Sequence, residues 1–429
     1  MRHNSIFAGR SALNLPGVWL LLAPLIYFAA QGRPSFMGQP TSELTATYGS
    51  LASGSPSGKN IVAVTLIFML LAMAVFPWIV DVAKECLRNG VFAALALLAF
   101  ASCIWSQAPA VSLEWSLCLI VNTIFAFYLN SRFNHEVQLT LFLSLGWVCL
   151  IASIAMALLV PRYGISIQNG AWQGIYFHKN ICAMATVFFL PAAFCASAKS
   201  WYRKAVRIVY IALSCGLVIM TQSKTSLIVV VALLVYMLAL NLLDKMTSHD
   251  RIAVLGGGVI MALTLAGATY YYYRDLVYFM GKDPSLTGRT EIWQAVVTSI
   301  MKHPILGYGY MAFWRGYVGE SANISLTAGW AVSSAHNGLL GVWVELGAAG
   351  LILVVASFLV AFRNALRCVT SGCSQYFKWC ACIVFLTIVI SIDEQQLLVP
   401  NDLRWIMYIV ACAGLADGAK QLRVRLGGD

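Results

Sequence analysis

An all-α, polytopic membrane protein with about twelve spanning helices is the fold this sequence predicts, and three observations carry that reading. Of its 429 residues, 60% are hydrophobic and only 10% charged, where soluble domains carry about 25% charged residues. Apolar stretches close to the ~20 residues a helix needs to cross a bilayer recur along the chain. The charges fall between those stretches and not along one basic face. A net charge of +11 would otherwise suit a nucleic-acid binder; its distribution excludes that class.

The stretches run over 14–31, 60–80, 90–106, 113–130, 138–160, 180–198, 205–221, 225–243, 251–271, 338–362, 378–395 and 403–419. The first follows Arg2 and Arg10 and lacks a small-residue cleavage pattern, so it reads as a retained helix and not a signal peptide. Short loops such as the one holding Lys199, Arg203 and Lys204 put both termini in the cytoplasm by the positive-inside rule. Residues 1–429 then read as a single integral membrane domain. Its longest break, 272–337, faces out between the ninth and tenth spans. The Gly, Ser and Pro content of 32–59 marks a flexible outer loop, and Gly256-Gly257-Gly258 marks close helix contact. The 12 cysteines are scattered, none lies in 272–335, and no Cys/His spacing fits a metal. Neither metal nor cofactor is expected.

The long loop concentrates the chemistry. Ile292, Trp293, Val296, Val297, Ile300 and Met301 fall on one face of a helix over 290–302, with Thr287 or Thr290 as cap and Pro304 as stop. Such a helix would lie along the membrane surface or over the bundle mouth. Lys179, Lys224 and Arg289 each sit beside an outer boundary. Lys224 occupies the tight turn Thr221–Ser226, where a cation runs against the orientation rule. A lipid diphosphate would hold all three, and snorkelling to headgroups is the alternative. His336 opens the tenth span. With a reference pKa of about 6.5, it can take a proton from an attacking hydroxyl, or it is a solvated boundary residue. Glu345 lies nine residues on, across the helix, so a His336–Glu345 dyad is not expected and Glu345 pairs inside the bundle.

Two features read as structural. Ile305-Leu306-Gly307-Tyr308-Gly309 resembles a potassium filter, yet Ile305 replaces the filter threonine and the next span starts far downstream. It reads as a turn. Asp393, Glu394, Asn401, Asp402 and Arg404 read as a solvated loop with Trp405 as interface anchor, in preference to a glycan contact.

In chain order, Trp105-Ser106-Gln107-Ala108-Pro109, Phe177-His178-Lys179-Asn180, Ser223-Lys224-Thr225-Ser226-Leu227, Thr287-Gly288-Arg289 with Trp293, His303-Pro304-x-x-Gly307-x-Gly309, Ala335-His336-Asn337 and Glu345-Leu346-Gly347-x-x-Gly350 resemble the O-antigen ligase and Wzy-type polymerase family. The resemblance covers roughly 100–350 and is closest to the ExoQ-like exopolysaccharide polymerases. It implies a GT-C-like, metal-independent glycosyltransferase at the outer face of a bacterial inner membrane. The substrates it implies are undecaprenyl-diphosphate-linked glycans, and the setting is membrane lipid with a flippase and chain-length regulator as partners. It implies His336 and Arg289 as catalytic residues and Lys179, Lys224 and Arg289 as diphosphate ligands. Asn337, Glu345, Trp293 and His178 support them. Lys224 stands where ligases carry arginine, so it supplies charge without the bidentate fork.

The expected reaction is polymerisation of lipid-linked repeats. No carboxylate pair stands out for a two-step route, so single displacement with inversion is expected. An O-antigen ligase transferring glycan to lipid A core is the nearest alternative. A secondary transporter of anionic solutes is the alternative from another class, and it would show paired half-helices with internal repeats.

Overall fold

The computed structural model describes residues 21–30, 58–167, 169–197, 200–243, 246, 289–370 and 374–425. The expected span 251–271, its glycine run, the loop opening 272–288 with Thr287 and Gly288, and nearly all of 32–59 lie outside the described residues. Among those described, the architecture is helical. No strand forms, and the one extended pairing is an isolated bridge between Ile165 and Trp172.

The helices follow the apolar pattern closely. They are α1 (Leu22–Ala29), α2 (Gly58–Val75), α3 (Ile79–Arg88), α4 (Gly90–Ala101), α5 (Pro109–Arg132), α6 (His135–Leu159), α7 (Lys179–Cys195), α8 (Trp201–Met220), α9 (Lys224–Leu243), α10 (Arg289–Ile300), α11 (Ser321–Ala328), α12 (Gly338–Thr370), α13 (Gln375–Ser391) and α14 (Leu403–Arg425). Between α2 and α3 the chain passes through a 3-10 turn, Phe76–Trp78, where Pro77 withdraws a backbone donor. Among the described residues, five stretches are long and apolar enough to cross a membrane: Thr65–Arg88, Pro109–Arg132, His135–Leu159, Lys224–Leu243 and Gly338–Val369. The protein is a multi-pass membrane protein.

The centre is built from α13 and α14. Ile406, Met407, Tyr408, Ile409, Val410 and Ala411 are all fully buried, as a helix apolar on every side must be. Trp379 of α13 stacks on Phe142 of α6 with ring centroids 5.2 Å apart. The outer helices turn apolar side chains outward instead. Ile208 and Ile219 of α8 and Ile228, Val231 and Val235 of α9 are exposed, the surface a bilayer would cover.

One element departs from regular helix, and the long loop fills the gap. α12 is broken at Gly347, with φ 65 and ψ −167. The groups freed there bind the segment 304–309. Tyr308 N donates to Val344 O at 3.0 Å, Gly309 N to Glu345 O at 2.9 Å, and Ala348 N to Pro304 O at 2.8 Å. A Cβ at Gly347 would strike the Ile305 carbonyl, and one at Gly307 would strike the Glu345 backbone. The filter-like stretch is therefore a turn, as its sequence suggests. From the other side, Trp105 Nε1 donates to Leu306 O at 2.9 Å and Gln107 N to Tyr308 O at 3.0 Å. Three separated motifs thus interlock at one place.

The loop also has a small core of its own. Ile292, Val296 and Ile300 of α10 pack with Tyr308, Phe313, Trp314, Ile324, Val332 and Val344. Val297 and Met301, expected on the same face, are exposed. The packed stripe is every fourth residue, and its neighbours one position on lie outside it. The helix ends at Ile300, ahead of Pro304.

Candidate active site

Three helices begin with a basic residue and open toward one place: Lys179 on α7, Lys224 on α9 and Arg289 on α10. A helix start exposes unpaired N–H groups and a partial positive charge, so a cation there is unfavourable unless an anion is near. Anions are near. Thr225 Oγ1 donates to Asp393 Oδ2 at 2.7 Å, and Asn180 Nδ2 donates to Glu394 Oε1 at 3.4 Å. Arg289 Nη1 donates to the Asp393 carbonyl at 2.9 Å and to its carboxylate, while Nη2 lies 3.7 Å from Glu394 Oε1. Asp393 and Glu394 leave the end of α13 and receive all three helix starts.

His336 completes the cluster. Its Nδ1 lies 3.4 Å from Glu394 Oε2, and its side chain is a quarter exposed. Its backbone sits at φ 46, an uncommon conformation for a residue with a Cβ. Neighbours hold it there. Trp293 Nε1 of α10 donates to Ala335 O at 2.8 Å. Asn337 caps α12 by accepting from Leu340 N at 3.0 Å and ties it to the end of α13 by donating to Ile392 O at 3.1 Å. Burial pushes the Glu394 carboxyl up, but the His336 hydrogen bond and charge, with Arg289 and His178 behind them, outweigh it and hold Glu394 below the usual value.

The expected residues divide in their surroundings. His336, Arg289, Trp293 and Asn337 gather around Glu394 as described. Lys179 and Lys224 flank it; Lys224 is exposed and Lys179 half-buried, and among the described residues neither has a hydrogen bond or ion pair. His178 caps α7, its Nδ1 accepting from Asn180 N at 3.2 Å. Glu345 does not meet His336, in line with the sequence reading. Its Oε2 accepts from Met311 N at 3.0 Å and its Oε1 from Gln395 at 3.5 Å.

One expectation is corrected. Asp393 and Glu394 are not a solvated loop: Glu394 is 15% exposed and is the hub of the cluster. Asp402, Arg404 and Trp405 are likewise buried, with Arg404 Nε 3.0 Å from Asp402 Oδ1. Glu345 and Glu394 line one cavity of about 230 Å³ with Met184, Met311, Trp314, Gln395 and Arg404. The missed signal was electrostatic. Three cations on one face of a low-dielectric bundle require counter-anions on that face, and Asp393-Glu394 is the acidic pair at the end of a span.

Comparison with known proteins now bears on this geometry. Residues 209–355 match the O-antigen ligase family model. That stretch is similar to the O-antigen ligase domain. It contains Lys224, Arg289, Trp293, His336, Asn337 and Glu345, whereas His178, Lys179, Asp393 and Glu394 reach the site from outside it. The chain is 26% identical over 295 residues to the exopolysaccharide production protein ExoQ of Rhizobium meliloti (strain 1021), covering 64% of each chain. It is 32% identical over 157 residues to the O-antigen ligase of Pseudomonas aeruginosa PAO1, covering 36% of this chain and 33% of that one. The matched region thus spans less than two thirds of either relative's length. The likeness the motifs imply to the O-antigen ligase family stands.

Proposed function

We propose that this protein is a polysaccharide polymerase of the bacterial inner membrane. In this reading it joins undecaprenyl-diphosphate-linked oligosaccharide repeats at the periplasmic face, with both termini in the cytoplasm. The observation that carries it is the convergence of three basic helix starts and His336 on Asp393-Glu394. Helix N-termini bearing cations favour a polyanion. Lys179 and Lys224, which hold no carboxylate among the described residues, are the two with charge to offer a diphosphate. Arg289 is oriented by the acidic pair and adds donors at the same mouth.

Glu394 fixes the imidazole. A hydrogen bond from Nδ1–H to its carboxylate leaves Nε2 as the acceptor, the tautomer a general base needs. A sugar hydroxyl oxygen attacks the anomeric carbon of the donor as His336 takes the hydroxyl proton. The bond from that carbon to the phosphate oxygen breaks, and the lipid diphosphate leaves with its electron pair, stabilised by Lys179, Lys224 and Arg289. Glu394 is engaged by Arg289, Asn180 and His336, which favours it as an orienting group over a nucleophile. One displacement then inverts the anomeric centre, without a metal.

The test is polymer made by cells carrying His336→Ala or Arg289→Ala. Polymer should fall about 10²–10⁴-fold for the base and about 10²–10³-fold for the arginine. Normal chain length in both would remove the reading. The named likeness to an O-antigen ligase supports one second reading, transfer to a lipid A core. Loss of the gene separates the two, since single lipid-linked repeats accumulate without a polymerase and long unligated chains accumulate without a ligase.

A further inference from the structure

The cavity beside the cluster offers a ligand more than a diphosphate would use. It holds about 230 Å³ and is walled by Ile181, Met184, Met311, Trp314, Glu345 and Val399, with Gln395 and Arg404 also at its lining. Pockets for drug-sized ligands run roughly 300–1,000 Å³, so this one suits a single ring. Its apolar walls carry a few polar groups of an unusual kind. Trp314 is 4% exposed, and its Nε1 is buried with no hydrogen-bond partner among the described residues. Gln395 Oε1 is likewise buried and unpartnered. Arg404 spends Nε and Nη2 on Asp402, while among the described residues Nη1 meets only the Met184 sulfur at 3.7 Å. Glu345 has accepted one backbone N–H and one long amide contact, well short of the lone pairs a carboxylate offers. Buried polar groups left unpaired in a fold are costly, and the residues that carry them line the same space.

We infer that this cavity is the subsite for the sugar ring that supplies the attacking hydroxyl, and that the ring is an uncharged pyranose. The inference rests on the transferase reading above. An apolar wall with a Trp, plus dispersed donors and acceptors, matches a pyranose, which has C–H faces and a hydroxyl edge. No cation on the lining is spare, because Asp402 matches Arg404. The carboxyls of Glu345 and Glu394 on the lining disfavour a uronic acid. Glu394 belongs both to this lining and to the His336 pair, so a ring seated here lies against the side chain that holds the imidazole. Glu345, Gln395 and Trp314 then set which sugar is accepted.

The experiment uses the full-length protein in detergent, with lipid-linked repeats from producing cells as donor. The acceptor is the same repeat freed of its lipid diphosphate, which keeps the hydroxyl but has no leaving group. For Glu345→Gln and Gln395→Leu, KM for the freed repeat should rise roughly tenfold or more, the scale of one charge-assisted hydrogen bond. The fall in kcat should be smaller, and KM for the donor should not move. Trp314→Phe keeps a ring and removes the N–H, so it should raise the acceptor KM about two- to tenfold; it serves if the other variants fail to fold. An unchanged acceptor KM in the folded variants overturns the subsite. So does a wild-type enzyme that polymerises but ignores the freed repeat, or a repeat whose non-reducing sugar is a uronic acid. Wild-type protein that transfers nothing from lipid-linked repeats would instead remove the transferase reading itself.

Discussion

Glu394 is the residue on which the outer cluster turns, and its charge gives a pH signature. Its carboxyl is held below the usual glutamate value in the folded protein because His336, Arg289 and His178 together outweigh burial. A depressed carboxylate contributes stability that is present above its unfolded value, about 4.3, and is lost as pH falls through the lower folded value. Glu394→Gln should therefore melt below wild type at neutral pH. The gap between the two should close as pH drops below about 4. Scanning fluorimetry of both proteins in detergent across that range reads it directly. A gap constant down to pH 3 would mean that Glu394 is not ionised against its neighbours. The same residue shows why part of the site was hidden in the sequence. His336, Arg289, Lys179 and Lys224 stand out because a cation or imidazole at a membrane boundary is conspicuous alone. Glu394 becomes conspicuous only through side chains 58 and 214 positions away along the chain.

At the scale of elements, most helices were legible and the break in one was not. Apolar run length fixed α5, α6, α9, α13 and α14 to within a few residues, since crossing a bilayer demands that length. Periodicity gave α10, though only its every-fourth-residue stripe is packed. Gly347 lies inside an apolar run interrupted by a single charge, Glu345, and neither residue announces that the helix opens there. The cause is tertiary: the 304–309 segment takes over the backbone groups that α12 gives up, as irregular backbone within a membrane bundle requires. Its backbone angles, φ 65 and ψ −167, belong to a region that is essentially glycine's alone, and a side chain there costs about 1–3 kcal/mol. Gly347→Ala adds a collision with the Ile305 carbonyl. This variant should lose thermal stability and also activity, because the break sets Glu345 against Met311. Gly329→Ala is the control. It too has positive φ, 77, but a Cβ there meets nothing within 4 Å, so it should lose stability without losing activity. Equal losses of activity in both would show that the interlock does not position the site.

Across the whole molecule, the charges sort to two ends of the bundle. At one, Arg88 reaches Asp417 at 3.5 Å, Asn130 joins Glu85 at 3.2 Å, and Lys378 donates to Asn241 at 2.7 Å. These residues lie where α3, α5 and α14 finish, α13 begins and α9 closes. Lys179, Lys224, Arg289, His336 and Glu394 gather at the other. The helix α8 joins the two ends: it starts beside Arg203 and Lys204 and finishes just before Lys224. Its 20 residues span about 30 Å at 1.5 Å per residue, the thickness of the hydrocarbon core. In the orientation proposed above, the Arg203–Lys204 end lies in the cytoplasm, as the positive-inside rule predicts, and the segment around α11 then faces the opposite compartment. Alkaline phosphatase fused after Gly319, in the exposed turn before α11, should be active, and the same enzyme fused after Arg423 should be inactive. A green fluorescent protein at those positions should give the reverse pattern. The site chemistry depends on this outcome more than on any single side chain. A glycan carried on a lipid diphosphate in the outer leaflet can reach His336 only if the three basic helix starts open on that side. Activity of the phosphatase at Arg423 and silence at Gly319 would turn the cluster to the cytoplasm, and polymerisation at the periplasmic face would have no catalyst here.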